Sequence, residues 1–186
     1  YPSIYWERPV FWNGKEVFPD ENWYSTDAFT DIAIDYSEQR RDKEKPFYMY
    51  IAYVAPHFPL MAKPEDIEKY KDVYKVGYDA IREARFEKQK PIGLVPDDLP
   101  ASEPVYPDWE SVEDKEQEAL EMAVYAAMID CLDQNIGRLM SCLESEGIAD
   151  NTAVFFLSDN GACQTDYNKT PDIEVGGRES NVAYGI

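Results

Sequence analysis

Phe47-Tyr48-Met49-Tyr50-Ile51-Ala52-Tyr53-Val54 is an unbroken apolar and aromatic run, closed by Ala55-Pro56. Such a run without polar alternation, ended by a turn signal, suits a strand buried on both faces, the usual state of strands in a parallel sheet. Ala153-Val154-Phe155-Phe156-Leu157-Ser158 is a second run of the same kind. Helical patterns fill the chain between them. The order strand, helices, strand predicts an α/β layer architecture with parallel strands.

The flanking segments carry their own punctuation. Asn13-Gly14 between Val10-Phe11-Trp12 and Glu16-Val17-Phe18 predicts a hairpin with a tight turn. Ser25 or Thr26 suits the cap of a helix whose Phe29, Ile32, Ala33 and Tyr36 share a face, with Arg40, Arg41 and Lys43 near its C-terminal end. Residues 64–90 are charged and helical, opening on Pro64-Glu65-Asp66, where proline fits the first turn and acids fit the positive helix end. The prolines and acids from Pro91 to Trp109 mark a surface excursion.

A helix of about 30 residues is then expected from Ser111 or Val112 to Glu146, with Gly147 as its stop. Met122, Tyr125, Ile129, Leu132, Ile136, Leu139 and Leu143 form its apolar stripe. That spacing also suits a coiled coil, but the flanking positions lack a charge code, which favours packing on a sheet. Asp130 and Asp133 on this helix read as solvated or ion-paired rather than catalytic.

At 186 residues the chain suffices for one sizeable core, and 44% hydrophobic with 14% aromatic residues is too apolar for a disordered chain. Its 37 acids against 18 bases give a net charge of −19, a field that repels nucleic acid and anionic membranes. No apolar run approaches the roughly 20 residues of a membrane span. Cys131 and Cys142 fall on one expected helix about 16 Å apart, beyond the roughly 7 Å between Cα atoms that a disulfide allows. Low cysteine usage leaves the compartment undecided.

The chemistry-bearing residues stand just beyond the two strand-like runs: His57 after the first, Asp159 and Asn160 after the second. Ligands of open parallel sheets bind beyond the carboxyl ends of strands. His57, the single histidine, lies between Pro56 and Pro59 and suits either proton donation to a leaving oxygen or a surface or capping role. Asp159 and Asn160 offer the hard oxygen donors that Ca²⁺ or Mg²⁺ prefers, although Asp-Asn-Gly is also an ordinary turn sequence. Gly176-Gly177 carries no phosphate-loop pattern, and no cysteine or histidine cluster suggests zinc.

Lys45 to Pro59, with its Ala55-Pro56-His57-Phe58-Pro59 end, resembles the strand-and-histidine segment of the type I sulfatases, the arylsulfatase-like family. Phe155-Phe156-Leu157-Ser158-Asp159-Asn160-Gly161-Ala162 resembles that family's metal-binding strand end. Lys69 to Tyr74, Gly77 to Asp79, Tyr125 to Asp130 and Asp133 to Arg138 follow in the family's order.

The resemblance implies an alkaline-phosphatase-like parallel sheet flanked by helices, and hydrolysis of sulfate esters by a formylglycine made from cysteine. It casts Asp159 and Asn160 as calcium ligands, with Mg²⁺ possible in place of Ca²⁺, and His57 as the residue that helps the ester oxygen depart. The substrate would be a small-molecule or carbohydrate sulfate ester, and exported relatives favour a periplasmic or secreted setting. None of Cys131, Cys142 and Cys163 stands in the family's Cys-x-Pro-Ser-Arg motif. Residues 1–186 are therefore expected to be the central part of a sulfatase catalytic domain, inactive alone, with its nucleophile elsewhere in a parent chain. The alternatives are a phosphoesterase of the same fold, or a catalytically dead anion- or carbohydrate-binding module.

Overall fold

A computed structural model describes residues 10–19, 23–57, 60–104 and 106–161. The hairpin forms as expected: β1 (Val10–Trp12) pairs antiparallel with β2 (Lys15–Val17), Val10 opposite Val17. Asn13 at φ 50° and Gly14 at φ 75° supply the two left-handed positions of a two-residue turn.

α1 (Ser25–Asp35) starts one residue earlier than a Ser25 cap requires and two earlier than a Thr26 cap. Tyr24 holds the cap position, and Ser25 and Thr26 are buried within the first turn. The buried face is not the expected one either. Thr26, Thr30 and Ala33 point inward, whereas Ile32 and Tyr36 are exposed. The Thr30 hydroxyl is accommodated there because it donates to the Thr26 carbonyl at 2.9 Å. A π-helical turn, Tyr36–Arg40, ends the segment.

α2 (Pro64–Glu68) begins on its proline with Glu65 and Asp66 in the first turn, as the sequence predicts. After a 3₁₀ turn at Tyr74–Val76 comes α3 (Tyr78–Gln89). Among its described residues the proline-rich excursion has no regular element before the 3₁₀ turn Trp109–Ser111, and it folds back on α3, where Tyr78 meets Tyr106 and Trp109 ring to ring.

α4 (Lys115–Ser145) runs 31 residues. It starts later than Ser111 because Asp114 caps it, its carboxylate accepting the Gln117 N–H at 3.0 Å. It stops at Gly147, φ 68°, where the Ile148 N–H reaches the Leu143 carbonyl and the Gly147 N–H the Glu144 carbonyl, a Schellman cap. α1 and α2 pack against it. Its buried face includes Ala119, Ala123, Ala127, Cys131 and Asn135 beside Val124 and Met128; of the expected stripe Leu132 is buried, while Tyr125 and Ile129 are exposed. Small side chains let neighbouring helices approach closely, so the helix contacts select that face. The core joins Val124, Ala127 and Met128 of α4 to Ala62 and Ile67, with Ala55 and Leu60 at its border.

The parallel sheet is the main departure from expectation. Phe47–Val54 and Ala153–Ser158 carry no ladder, and the hairpin is the one paired sheet among the described residues. A ladder needs a neighbouring backbone to accept and donate its hydrogen bonds. The first run alternates, with Tyr48 and Tyr50 exposed and Phe47, Met49, Ile51 and Tyr53 half-buried toward the helices. In the second, Val154, Phe155, Phe156 and Leu157 are all exposed, Phe155 to 84%. The described structure is thus mostly helical, a partial domain rather than a complete α/β layer.

Candidate functional site

The run Phe47–Val54 is anchored at its start by Arg41, whose guanidinium lies 5.3 Å over the Phe47 ring and pairs with Glu146 at 3.0 Å, beside the end of α4. Lys43 joins the same carboxylate at 2.9 Å. Hydrogen bonding from Lys43 comes first among the effects that hold the Glu146 carboxyl below its ordinary pKa. At the other end the chain turns through a cis Ala55-Pro56 bond, and the His57 N–H closes the turn on the Val54 carbonyl at 2.8 Å. His57 is exposed there. Ala55 before it and Leu60 after it rest against the core, so the turn is a projection from packed arms. Phe58 and Pro59 lie outside the described residues.

Asp159 and Asn160 share one exposed bend beyond Ala153–Ser158. Ser158 Oγ donates to the Asn160 carbonyl at 2.6 Å, and Asn160 Nδ2 donates to the Gly161 carbonyl at 2.8 Å. Asn160 thus spends its amide nitrogen inside the bend, which leaves Oδ1 as the side-chain oxygen it could offer a cation. Adjacency brings these two residues together, but no ladder among the described residues brings them to His57. Calcium usually takes six to eight oxygens. Among the described residues no group of three or more His, Cys, Asp or Glu side chains is placed to hold a metal. The pair suits part of a hard-cation donor set, and a complete set would need further oxygens beyond these two.

Beneath the His57 arms lies an ionic cluster that sequence reading did not single out. Asp27 accepts from Asn135 Nδ2 at 2.8 Å and from Lys63 Nζ at 3.1 Å, with the Cys131 thiol 3.6 Å away. Burial works against the Asp27 carboxylate, yet the Asn135 and Lys63 hydrogen bonds and the Lys63 charge together hold its pKa below the ordinary value. Burial, and next the Asp27 charge, push the Cys131 thiol up to about 11, which favours the protonated thiol at neutral pH. Asp66, 3% exposed, lies 2.7 Å from Lys69, which also reaches Asp130 at 2.8 Å. Asp130 is therefore ion-paired, as its helix position suggests. The sequence signal available was a weak one, Asn135 one turn after Cys131 on the inward face of α4.

Cys131 and Cys142 are free and buried. Cys163 and Gly176-Gly177 lie outside the described residues. No helix among the described residues is long and apolar enough to cross a membrane.

The Sulfatase family model matches residues 5–174. An uncharacterized sulfatase of Schizosaccharomyces pombe is 40% identical over 147 residues, covering 76% of this chain and 26% of that protein. An arylsulfatase of Klebsiella aerogenes is 33% identical over 188 residues, covering 93% of this chain and 40% of its own length. An arylsulfatase of Clostridium perfringens is 28% identical over 173 residues, 84% of this chain and 30% of that enzyme. The chain thus spans between about a quarter and two-fifths of these relatives. An incomplete sheet is what such a share of a larger α/β domain would leave. With the match running through both the histidine turn and the Asp159-Asn160 bend, the chain belongs to the sulfatase family.

Proposed function

We propose that this chain forms the leaving-group side, and part of the cation-holding side, of an arylsulfatase-like sulfuric ester hydrolase. The observation that carries the reading is the exposed His57 turn on its packed arms, in a chain whose family match runs from residue 5 to residue 174. His57 would sit against the ester oxygen and give it a proton as the sulfur–oxygen bond breaks, so that an alcohol rather than an alkoxide departs. Asp159 carboxylate and Asn160 Oδ1 would hold a calcium ion, or magnesium in its place. Such an ion, with a formylglycine hydroxyl contributed by sequence outside this chain, supplies charge neutralisation and the nucleophile. The substrate class is a sulfate ester of a small molecule or a carbohydrate.

A chain without a nucleophile has no covalent route, since Cys131 is a buried thiol and none of the cysteines stands in a modification motif. Purified 1–186 is therefore expected to give no turnover of 4-nitrophenyl sulfate above the buffer rate, with or without calcium. Steady turnover that survives removal of host sulfatases would overturn the division of the site between this chain and the rest of the enzyme.

A further inference from the structure

Tyr24 caps α1, and Asp27 and Thr30 lie within its first two turns. This end of the helix touches the chain on both sides of His57. On the upstream arm, Tyr53 and Thr30 hydroxyls lie 2.8 Å apart. Because Thr30 gives its proton to the Thr26 carbonyl, Tyr53 is the donor to Thr30. On the downstream arm, the Tyr24 hydroxyl donates to the Met61 carbonyl at 3.0 Å, and the Met61 N–H donates to Met128 Sδ at 3.3 Å. Two residues further, Lys63 reaches Asp27 at 3.1 Å. Met61 and Ala62 are each 1% exposed, so these bonds form out of water's reach. Burial raises the Tyr24 phenol well above its ordinary value, which keeps its proton on as a donor.

Tyr53 and Met61 stand at equal distances along the chain from His57. We propose that Tyr24 and Thr30 are positioning residues for His57: from the cap and first turns of α1 their hydroxyls fix the backbone on either side of the histidine turn, and so fix where its imidazole is presented. The inference rests on the reading of His57 as the proton donor of the site. A donor serves only within hydrogen-bond reach of the departing oxygen, so the anchorage of its turn sets how often that geometry is met. Removing the Tyr24 hydroxyl leaves the buried Met61 carbonyl without its partner, and the downstream arm relaxes toward water.

The single histidine makes this directly measurable, because the whole chain contributes one imidazole Hε1–Cε1 correlation to a ¹H–¹³C NMR spectrum. In purified 1–186, Tyr24→Phe and Thr30→Val are each expected to shift that signal by more than its linewidth or to split it. Tyr24→Phe also speeds deuterium exchange at the Met61 amide by roughly tenfold. Tyr53→Phe removes the upstream bond without touching α1 and gives the same kind of shift should Thr30→Val fail to fold. Tyr78→Phe is the control: it too loses a hydroxyl bond, to Glu118, about 15 Å along α4 from Met128. An imidazole signal unchanged in Tyr24→Phe and Tyr53→Phe, or moved equally by Tyr78→Phe, overturns the proposal. In a complete enzyme carrying this chain, Tyr24→Phe is further expected to lower kcat with KM little changed, most for poor leaving groups. A shifted signal with kcat unaffected for every leaving group upholds the anchorage and removes the proton-donor reading of His57, so the two failures are told apart.

Discussion

Proton donation to a departing oxygen matters most when that oxygen is basic, and this sets the test for His57. General-acid help is typically worth about 10²–10⁴-fold. In a complete enzyme carrying this chain, His57→Ala is expected to cost the larger factor with alkyl sulfates and the smaller with nitrophenyl sulfates. The slope of log kcat against the leaving group's pKa should steepen, and a parallel drop across the series would take the proton-donor role away. Asp27 acts through charge instead. Its folded pKa lies below the ordinary 3.8, so the stabilisation it contributes is present above that value and is lost as pH falls through the folded pKa. The gap in melting temperature between the native chain and Asp27→Asn should therefore hold steady down to about pH 5 and narrow as pH falls from about 4 through the folded pKa. A gap that stays constant over that interval would mean that Lys63 and Asn135 do not favour the ionised form.

Among the elements, α3 and the excursion behind it depend on Gly77. At φ 89° and ψ 172° its backbone occupies a region that side chains essentially do not enter, and a Cβ there would stand 2.5 Å from Trp109 Cγ. Trp109 is buried and bears on Tyr78, so the ring cannot move without opening that cluster. Strain and overpacking act together, and Gly77→Ala should cost at least about 2 kcal/mol in urea unfolding. Gly93 also has a positive φ, 74°, with nothing within 4 Å of its Cβ position, so Gly93→Ala should cost only about 1 kcal/mol. Equal costs at the two sites would show that the Trp109 contact contributes nothing.

At the scale of the molecule, helices meet in a core, one apolar run lies half-buried along them and the other lies exposed. Phe156, 72% exposed, has little surface to lose, so Phe156→Ala in 1–186 should change stability by no more than about 0.5 kcal/mol. A phenylalanine inside a covered strand would cost about 3–5 kcal/mol. A loss of that size in thermal unfolding would mean that Ala153–Ser158 is packed in solution. The ion pairs differ in the same way. Arg41 and Glu146 are nearly buried and join the start of one apolar run to the end of α4, whereas Lys71–Glu68 and Lys115–Glu110 are exposed pairs that contribute little.

By itself the sequence determined what depends on a few adjacent residues. Asn13-Gly14 turned the hairpin, Pro64 opened α2 and Gly147 closed α4, because each sets its own φ or supplies its own cap. It also marked His57, Asp159 and Asn160 as ends of apolar runs, and the family match passes through both ends. Only the tertiary structure decided which faces are buried. α4 turned inward its alanines, Cys131 and Asn135 rather than Tyr125 and Ile129, since close helix contact favours small side chains over large ones. Asp27, Lys63 and Asn135 meet for a similar reason: they lie far apart in sequence, and packing alone makes them neighbours. Apolarity announced two strands, but a strand becomes sheet only when another backbone lies beside it, and that is a property of the assembled domain rather than of the run.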